Sequence, residues 1–260
     1  MIIDSHCHLD PEVYGGDAGV DDAIARARAA GVARMITIGS GYGFGSAARA
    51  VAVARRHPDY LRASVGLHPH DAKDFTDDRF AELLALADGP EVVALGEMGL
   101  DFHYDMSPRG EQRDVFRAQL RAARARGLPV IIHDRESGGE TLRVLDEENA
   151  WEIGVLFHCY TGDEAYMDAI VGRGGTISIP GIVTFKNGDT MRAVAARVPA
   201  DRFLIETDSP FLTPVPYRGR RNEPAYVTFV AAKVAELRGV GVEELAEQAA
   251  ANTRRFFRWA

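Results

Sequence analysis

Two histidines one residue apart close the apolar run Met1-Ile2-Ile3-Asp4-Ser5-His6-Cys7-His8. Side chains alternate faces along an extended strand, so His6 and His8 point one way and Cys7 the other. Two imidazoles at one strand end form half of a metal site. Groups of the same chemical kind recur where later apolar segments stop: His68, Glu97, His133, His158 and Asp208. A lone histidine at such a point is more often packed or hydrogen-bonded than a ligand. Several histidines converging with two carboxylates reverse that weighting, because imidazole nitrogen and carboxylate oxygen are the usual donors to Zn and Mn. The candidate ligands are His6, His8, Glu97, His133, His158 and Asp208. They are too many for one catalytic ion that keeps a position open, but they suit two divalent ions about 3.5–4 Å apart sharing a carboxylate and a water. The chemistry expected is metal-dependent hydrolysis.

Such donors need a frame that ends many strands at one face. Short apolar segments recur at 2–5, 34–38, 62–66, 92–96, 129–132, 154–157, 175–179 and 202–205. Helix patterns lie between them. One opens near Asp21-Asp22 and stops at Gly31; another takes Ser107 as N-cap and Pro108 as its first-turn residue and closes at Gly127. Further helices are expected over 77–86, 140–145, 164–172 and 190–198. Strand alternating with helix eight times implies parallel pairing, and with 260 residues the expected fold is a single (β/α)8 TIM barrel spanning 1–260. An open doubly wound sheet is the competing arrangement. Active residues of such barrels stand where strands end and the following loops begin, which is where the candidate ligands fall.

Alternation also separates neighbours from ligands. Cys7 and Cys159 each flank a candidate histidine and are expected to face the helix layer as buried thiols. Asp4 and Glu206 share parity with His8 and Asp208 but lie deeper, as a polar plug or as groups orienting the histidines. Arg135 shares parity with His133 two residues further out, within reach of a substrate phosphate; a surface ion pair is its plainer role. His57, His70 and His103 fall outside the strand-end count. A formal charge of −8 argues against a protein that coats nucleic acid nonspecifically. Two cysteines make no disulfide framework, and no apolar run approaches the roughly 18–20 residues of a bilayer span. Cytoplasmic residence without membrane association is expected.

The phrases around these residues resemble the TatD family of metal-dependent deoxyribonucleases, within the amidohydrolase-like barrels. They are Asp4-Ser5-His6-Cys7-His8-Leu9-Asp10, Val65-Gly66-Leu67-His68-Pro69-His70, Gly96-Glu97-Met98-Gly99-Leu100-Asp101 and Pro129-Val130-Ile131-Ile132-His133-Asp134-Arg135. His158-Cys159-Tyr160-Thr161-Gly162, Glu206-Thr207-Asp208-Ser209-Pro210, Pro214-Val215-Pro216-Tyr217-Arg218-Gly219 and Arg221-Asn222-Glu223-Pro224 continue the match, which runs from residue 1 to about Phe257. The loop 39–45, with four glycines, departs from the pattern. The resemblance implies that His6, His8 and Asp208 hold a first ion, that Glu97 bridges, and that His133 and His158 complete a second. It implies hydrolysis of DNA phosphodiesters, with 3′→5′ exonuclease action in some members. Catalytic roles fall to Glu97 and to Asp208, which would take the proton of the attacking water, and phosphate contacts to Arg135 and His68. The ions expected are two divalent metals, Mg, Mn or Zn. The partner expected is DNA, single-stranded or at strand ends, met by a monomer. The competing readings are an amide or ester hydrolase of the same superfamily, such as an aminoacyl-tRNA deacylase, and a catalytically silent metal-binding barrel.

Overall fold

The computed structural model describes residues 1–259. Its elements run β1 (Ile2–Cys7), α1 (Pro11–Tyr14), α2 (Asp17–Ala29), β2 (Val32–Gly39), α3 (Gly45–Arg56), β3 (Leu61–Val65), α4 (Asp77–Ala87) and β4 (Val92–Asp101). They continue with α5 (Arg109–Arg126), β5 (Val130–Arg135), α6 (Glu140–Glu147), β6 (Val155–Phe157), α7 (Glu164–Gly172), β7 (Thr176–Ile179), α8 (Asp189–Arg197), β8 (Phe203–Ile205), α9 (Val227–Arg238) and α10 (Val242–Phe257). The eight strands form one parallel sheet in the order β1 to β8. The seam between β8 and β1 is closed just past the end of β8. Cys7 bridges Ser209 in parallel, Asp208 N donates to His6 O at 2.9 Å, and His8 N donates to Ser209 O at 2.8 Å. The barrel is therefore (β/α)8, and the open sheet is excluded.

Alternation sorts the strand residues into two layers. Ile36, Ile38, Ala94, Ile131, Leu156 and Leu204 point inward and form one buried cluster with Phe257 and Trp259. Their neighbours Met35, Leu95, Val130, Ile132, Val155, Phe157, Phe203 and Ile205 point outward and pack under the helices. The end of α10 and Trp259 beyond it thus plug the barrel floor. Trp259 is sandwiched there by two guanidinium groups, Arg34 at 4.7 Å and Arg62 at 5.0 Å from its rings. Trp259→Ala is expected to cost about 3–5 kcal/mol of stability through the void it leaves. A drop of about 10 °C in melting temperature would register it; an unchanged melting temperature would show that the plug carries no weight.

Two local readings are corrected. Helix α5 begins one residue later than expected, with Pro108 at its cap; the Ser107 hydroxyl instead donates to His70 O at 2.7 Å and accepts from Lys73 N at 3.1 Å. Strand β4 runs on to Asp101 rather than stopping at Gly96. The reason is a bulge: Gly96 pairs with Ile131 and Met98 with Ile132, so Glu97 is the extra residue between them.

Candidate metal centre

That bulge decides where Glu97 points. Unbroken alternation from Leu95, which faces the helices, would send Glu97 the same way. With one residue inserted, Met98 and Leu100 take the helix-facing positions and Glu97 and Asp101 turn into the barrel mouth. Glycine permits the close pairing that follows. Gly99 has φ 144°, and a β-carbon there would come within 2.0 Å of the His133 carbonyl oxygen. On the opposite wall Asp208 adopts a left-handed backbone, φ 52°, in the seam beside β1. The loop is tied down by Asn222, whose amide donates to Thr207 O at 2.8 Å.

His6, His8 and Glu97 gather at one place, and Asp208 from the β8 loop approaches both histidines. His6 Nε2 lies 3.7 Å from Glu97 Oε2 and 3.6 Å from Asp208 Oδ1. His8 Nε2 lies 3.9 Å from Glu97 Oε2 and 3.5 Å from Asp208 Oδ1. These gaps are too long for hydrogen bonds. They are the separations, about 3–4 Å, expected of atoms sharing an ion at roughly 2.0–2.2 Å. Both nitrogens of His6 are buried with no hydrogen-bond partner. A buried orphan imidazole is costly unless a ligand completes it, so the donor set fits a divalent ion.

The other Glu97 oxygen gathers a second group. Oε1 lies 2.7 Å from His158 Nε2, 2.8 Å from His133 Nδ1 and 3.3 Å from His68 Nε2. Here the groups touch directly. Behind them stand further carboxylates, of which Asp101 bonds the rings directly. Asp101 Oδ2 meets His133 Nε2 at 3.0 Å and His70 Nε2 at 2.8 Å. Glu206 Oε1 sits 3.7 Å from His158 Nδ1 and accepts from Cys159 N at 2.6 Å. Asp4 accepts from Thr207 N at 3.0 Å and Thr207 Oγ1 at 2.6 Å. Asp4 and Glu206 thus occupy the deeper positions expected of them. Asp101 and His70 were not anticipated. The signal was present in the parity of Asp101 with Glu97, but it shows only once β4 is known to continue.

The electrostatics sort these groups by proton. Burial alone would raise the Glu97 carboxyl, yet His158 and His68, with hydrogen bonds from His133 and His158, hold it well below the usual carboxylate range. Burial works against charge on His158 as well, but Glu97 and Glu206 outweigh it and hold the ring's proton well above the ordinary histidine range. His133 shifts upward too: its bonds to Asp101 and Glu97 overcome desolvation. Burial drives His6 well down and pushes His68 down to about 4, leaving both neutral near neutral pH. A cation entering beside Glu97 Oε1 must therefore displace protons. Because the His158 value is raised well above the ordinary range, its proton stays bound at neutral pH and leaves as pH climbs, and the His133 shift runs in the same direction. Metal affinity is expected to strengthen about tenfold per pH unit for each proton displaced. Calorimetric titration in buffers of different ionisation enthalpy counts those protons; binding without release would contradict this assignment.

The remaining candidates separate clearly. Arg135 is exposed at the mouth, its guanidinium 4.7 Å from the Tyr104 ring, and makes no ion pair among the described residues. Cys7 is buried in the helix-side core, its thiol donating to Ile36 O at 3.3 Å. Cys159 departs from expectation. It lies past the end of β6 with φ 43°, so strand alternation does not govern it. Its thiol feels Asp208, Glu206, Glu97 and Arg135 at the mouth, and burial first, then these carboxylates, push its pKa far up. A thiol in that state is a poor nucleophile. His57 and His103 lie away from the centre, paired with Asp21 and Glu136.

Comparison with known proteins finds relatives along the whole chain. The family model described as TatD related DNase matches residues 3–258. The uncharacterized metal-dependent hydrolase YabD of Bacillus subtilis is 40% identical over 258 residues, covering 99% of both chains. The 3′-5′ ssDNA/RNA exonuclease TatD of Erwinia tasmaniensis is 38% identical, covering 91% of this chain and 93% of its own. The crystal structure of YJJV, a TatD homolog from Escherichia coli K12, superposes with a TM-score of 0.90 at 29% identity over 100% of this chain and 98% of that one.

Proposed function

The chain belongs to the TatD-related DNase family and is a metal-dependent hydrolase, and from that premise we propose that it removes nucleotides from the 3′ end of single-stranded DNA with two divalent ions, Mg, Mn or Zn. The observation that carries the reading is the double use of Glu97. One oxygen closes a ring of donors with His6, His8 and Asp208, and the other meets His133 and His158. Single-strand and 3′-end action are named for the Erwinia relative. In this proposal His6, His8, Glu97 and Asp208 hold the first ion and Glu97, His133 and His158 the second. Such ions would supply Lewis-acid charge and acidify a nearby water. Asp208 accepts the proton of the attacking water, and Arg135 and His68 hold non-bridging phosphate oxygens. A monomer suffices, since every ligand in the proposal comes from this one chain. No helix among the described residues is long and apolar enough to cross a membrane. A cytoplasmic setting is part of the proposal, supported by two free thiols.

The test is end-labelled single-stranded DNA offered beside duplex DNA, ester and amide substrates. Chelator is expected to abolish cleavage of the single strand. Arg135→Ala is expected to raise KM about tenfold while metal content stays near normal, the scale of one charge-assisted phosphate contact. With net charge −8, the salt dependence is expected to be shallow, since each phosphate neutralised adds only about 0.7 to the logarithmic slope on single strands. A slope worth six or more contacts would reveal a basic groove and refute the reading of Arg135. Turnover of the ester or amide alone would transfer the site to that class.

A further inference from the structure

Large aromatic rings stand half exposed around the mouth although nothing in the proposed chemistry uses them. Phe211, in the loop after β8, is 50% exposed and stacks parallel to Tyr42 from the loop after β2, with centroids 6.4 Å apart and planes 8° apart. Both rings edge the first donor group: His8 lies 5.6 Å from Tyr42 and 6.2 Å from Phe211. On the other flank Tyr104, after β4, is 53% exposed. It lies 5.6 Å from His70, which bonds the same Asp101 oxygen as His133, and its ring carries the Arg135 guanidinium. Two flat surfaces therefore flank the metal centre, one on the His8 side and one on the His133 side.

Charge makes these surfaces necessary. A protein of net charge −8 has little long-range attraction for a polyanion, and Arg135 is the cation that lies against Tyr104. Stacking on a π-face needs no charge and is open to every base. It is open only to unpaired bases, because those inside a duplex have both faces covered. We propose that Phe211 with Tyr42, and Tyr104 with Arg135, are the two stacking surfaces that receive the unpaired bases on either side of the scissile phosphate. The inference rests on the nuclease reading and gives it a cause for strand selectivity: the rings reject duplex interiors while the metal groups act on the phosphate between them.

Metal-loaded wild type, Phe211→Ala and Tyr104→Ala are compared on single-stranded DNA, with metal content measured throughout. Each alanine variant is expected to raise KM about tenfold with kcat within about twofold, the scale of one lost base–aromatic stack. Phe211→Trp and Tyr104→Phe should restore the wild-type KM. A hydrolysis-resistant phosphorothioate strand carrying 2-aminopurine beside the cleavage point should be quenched by wild type and left bright by the variant lacking the matching ring. Removing that base from the strand should cost the variant nothing more, because ring and base act as one pair. Unchanged KM and unchanged quenching in both alanine variants overturn the proposal. Wild type that quenches the probe yet cleaves no strand removes the nuclease reading and keeps the surfaces; wild type that does neither removes both.

Discussion

Glu97→Ala is expected to lose bound metal and to lower kcat/KM at least about a thousand-fold, the several kcal/mol that metal activation supplies. The two Glu97 oxygens face different donor groups: Oε2 faces His6 and His8 while Oε1 faces His158, His133 and His68. The folded state should not suffer in step. Glu97 is 3% exposed and holds its charge through neighbouring histidines, so its removal leaves buried imidazoles that shed their protons more easily. Elemental analysis, circular dichroism and turnover together decide the matter. A folded variant that keeps a full complement of metal would remove Glu97 from its bridging role.

Asp208→Asn separates holding metal from moving a proton. The amide oxygen keeps one donor near His6 and His8, whose nitrogens lie 3.6 and 3.5 Å from Asp208 Oδ1, but it accepts no proton at working pH. Turnover is expected to fall about 10²- to 10⁴-fold, the usual worth of a general base. Metal content should fall less than in Glu97→Ala. The Asp208 backbone, locked across the seam by its N–H to His6 O at 2.9 Å, stays where it was. Equal loss of metal in the two variants would make Asp208 a ligand only.

The strand-end histidines were legible because alternation is a local rule and β1 and β5 obey it. His6 and His8 share a face as their spacing requires, and His133 follows Ile131 into the barrel. The rule fails where the strand is irregular. Counting from Leu95 puts Glu97 under the helices; its place at the end of the fourth apolar segment put it among the candidates, and the bulge is the physical reason it belongs there. The same irregularity concealed Asp101, and His70 was passed over because it lies in a short turn after β3 rather than at a strand end. Cys159 was misjudged for the converse reason: alternation was extended past Phe157, where the strand had already stopped. The aromatic rim was invisible, since no periodicity marks a loop residue.

The seam and the floor plug impose an order on folding. Asp4 must meet Thr207, 203 positions away, and the barrel floor is filled only when Phe257 and Trp259 reach it. Such distant pairings come slowly in folding, because a long loop must be closed before they form. His6 and His8 therefore gain the aspartate opposite them only when the seam between β8 and β1 closes. A cation that reaches the chain before that closure meets an incomplete set of donors, so assembly of the first donor group is coupled to closure of the barrel.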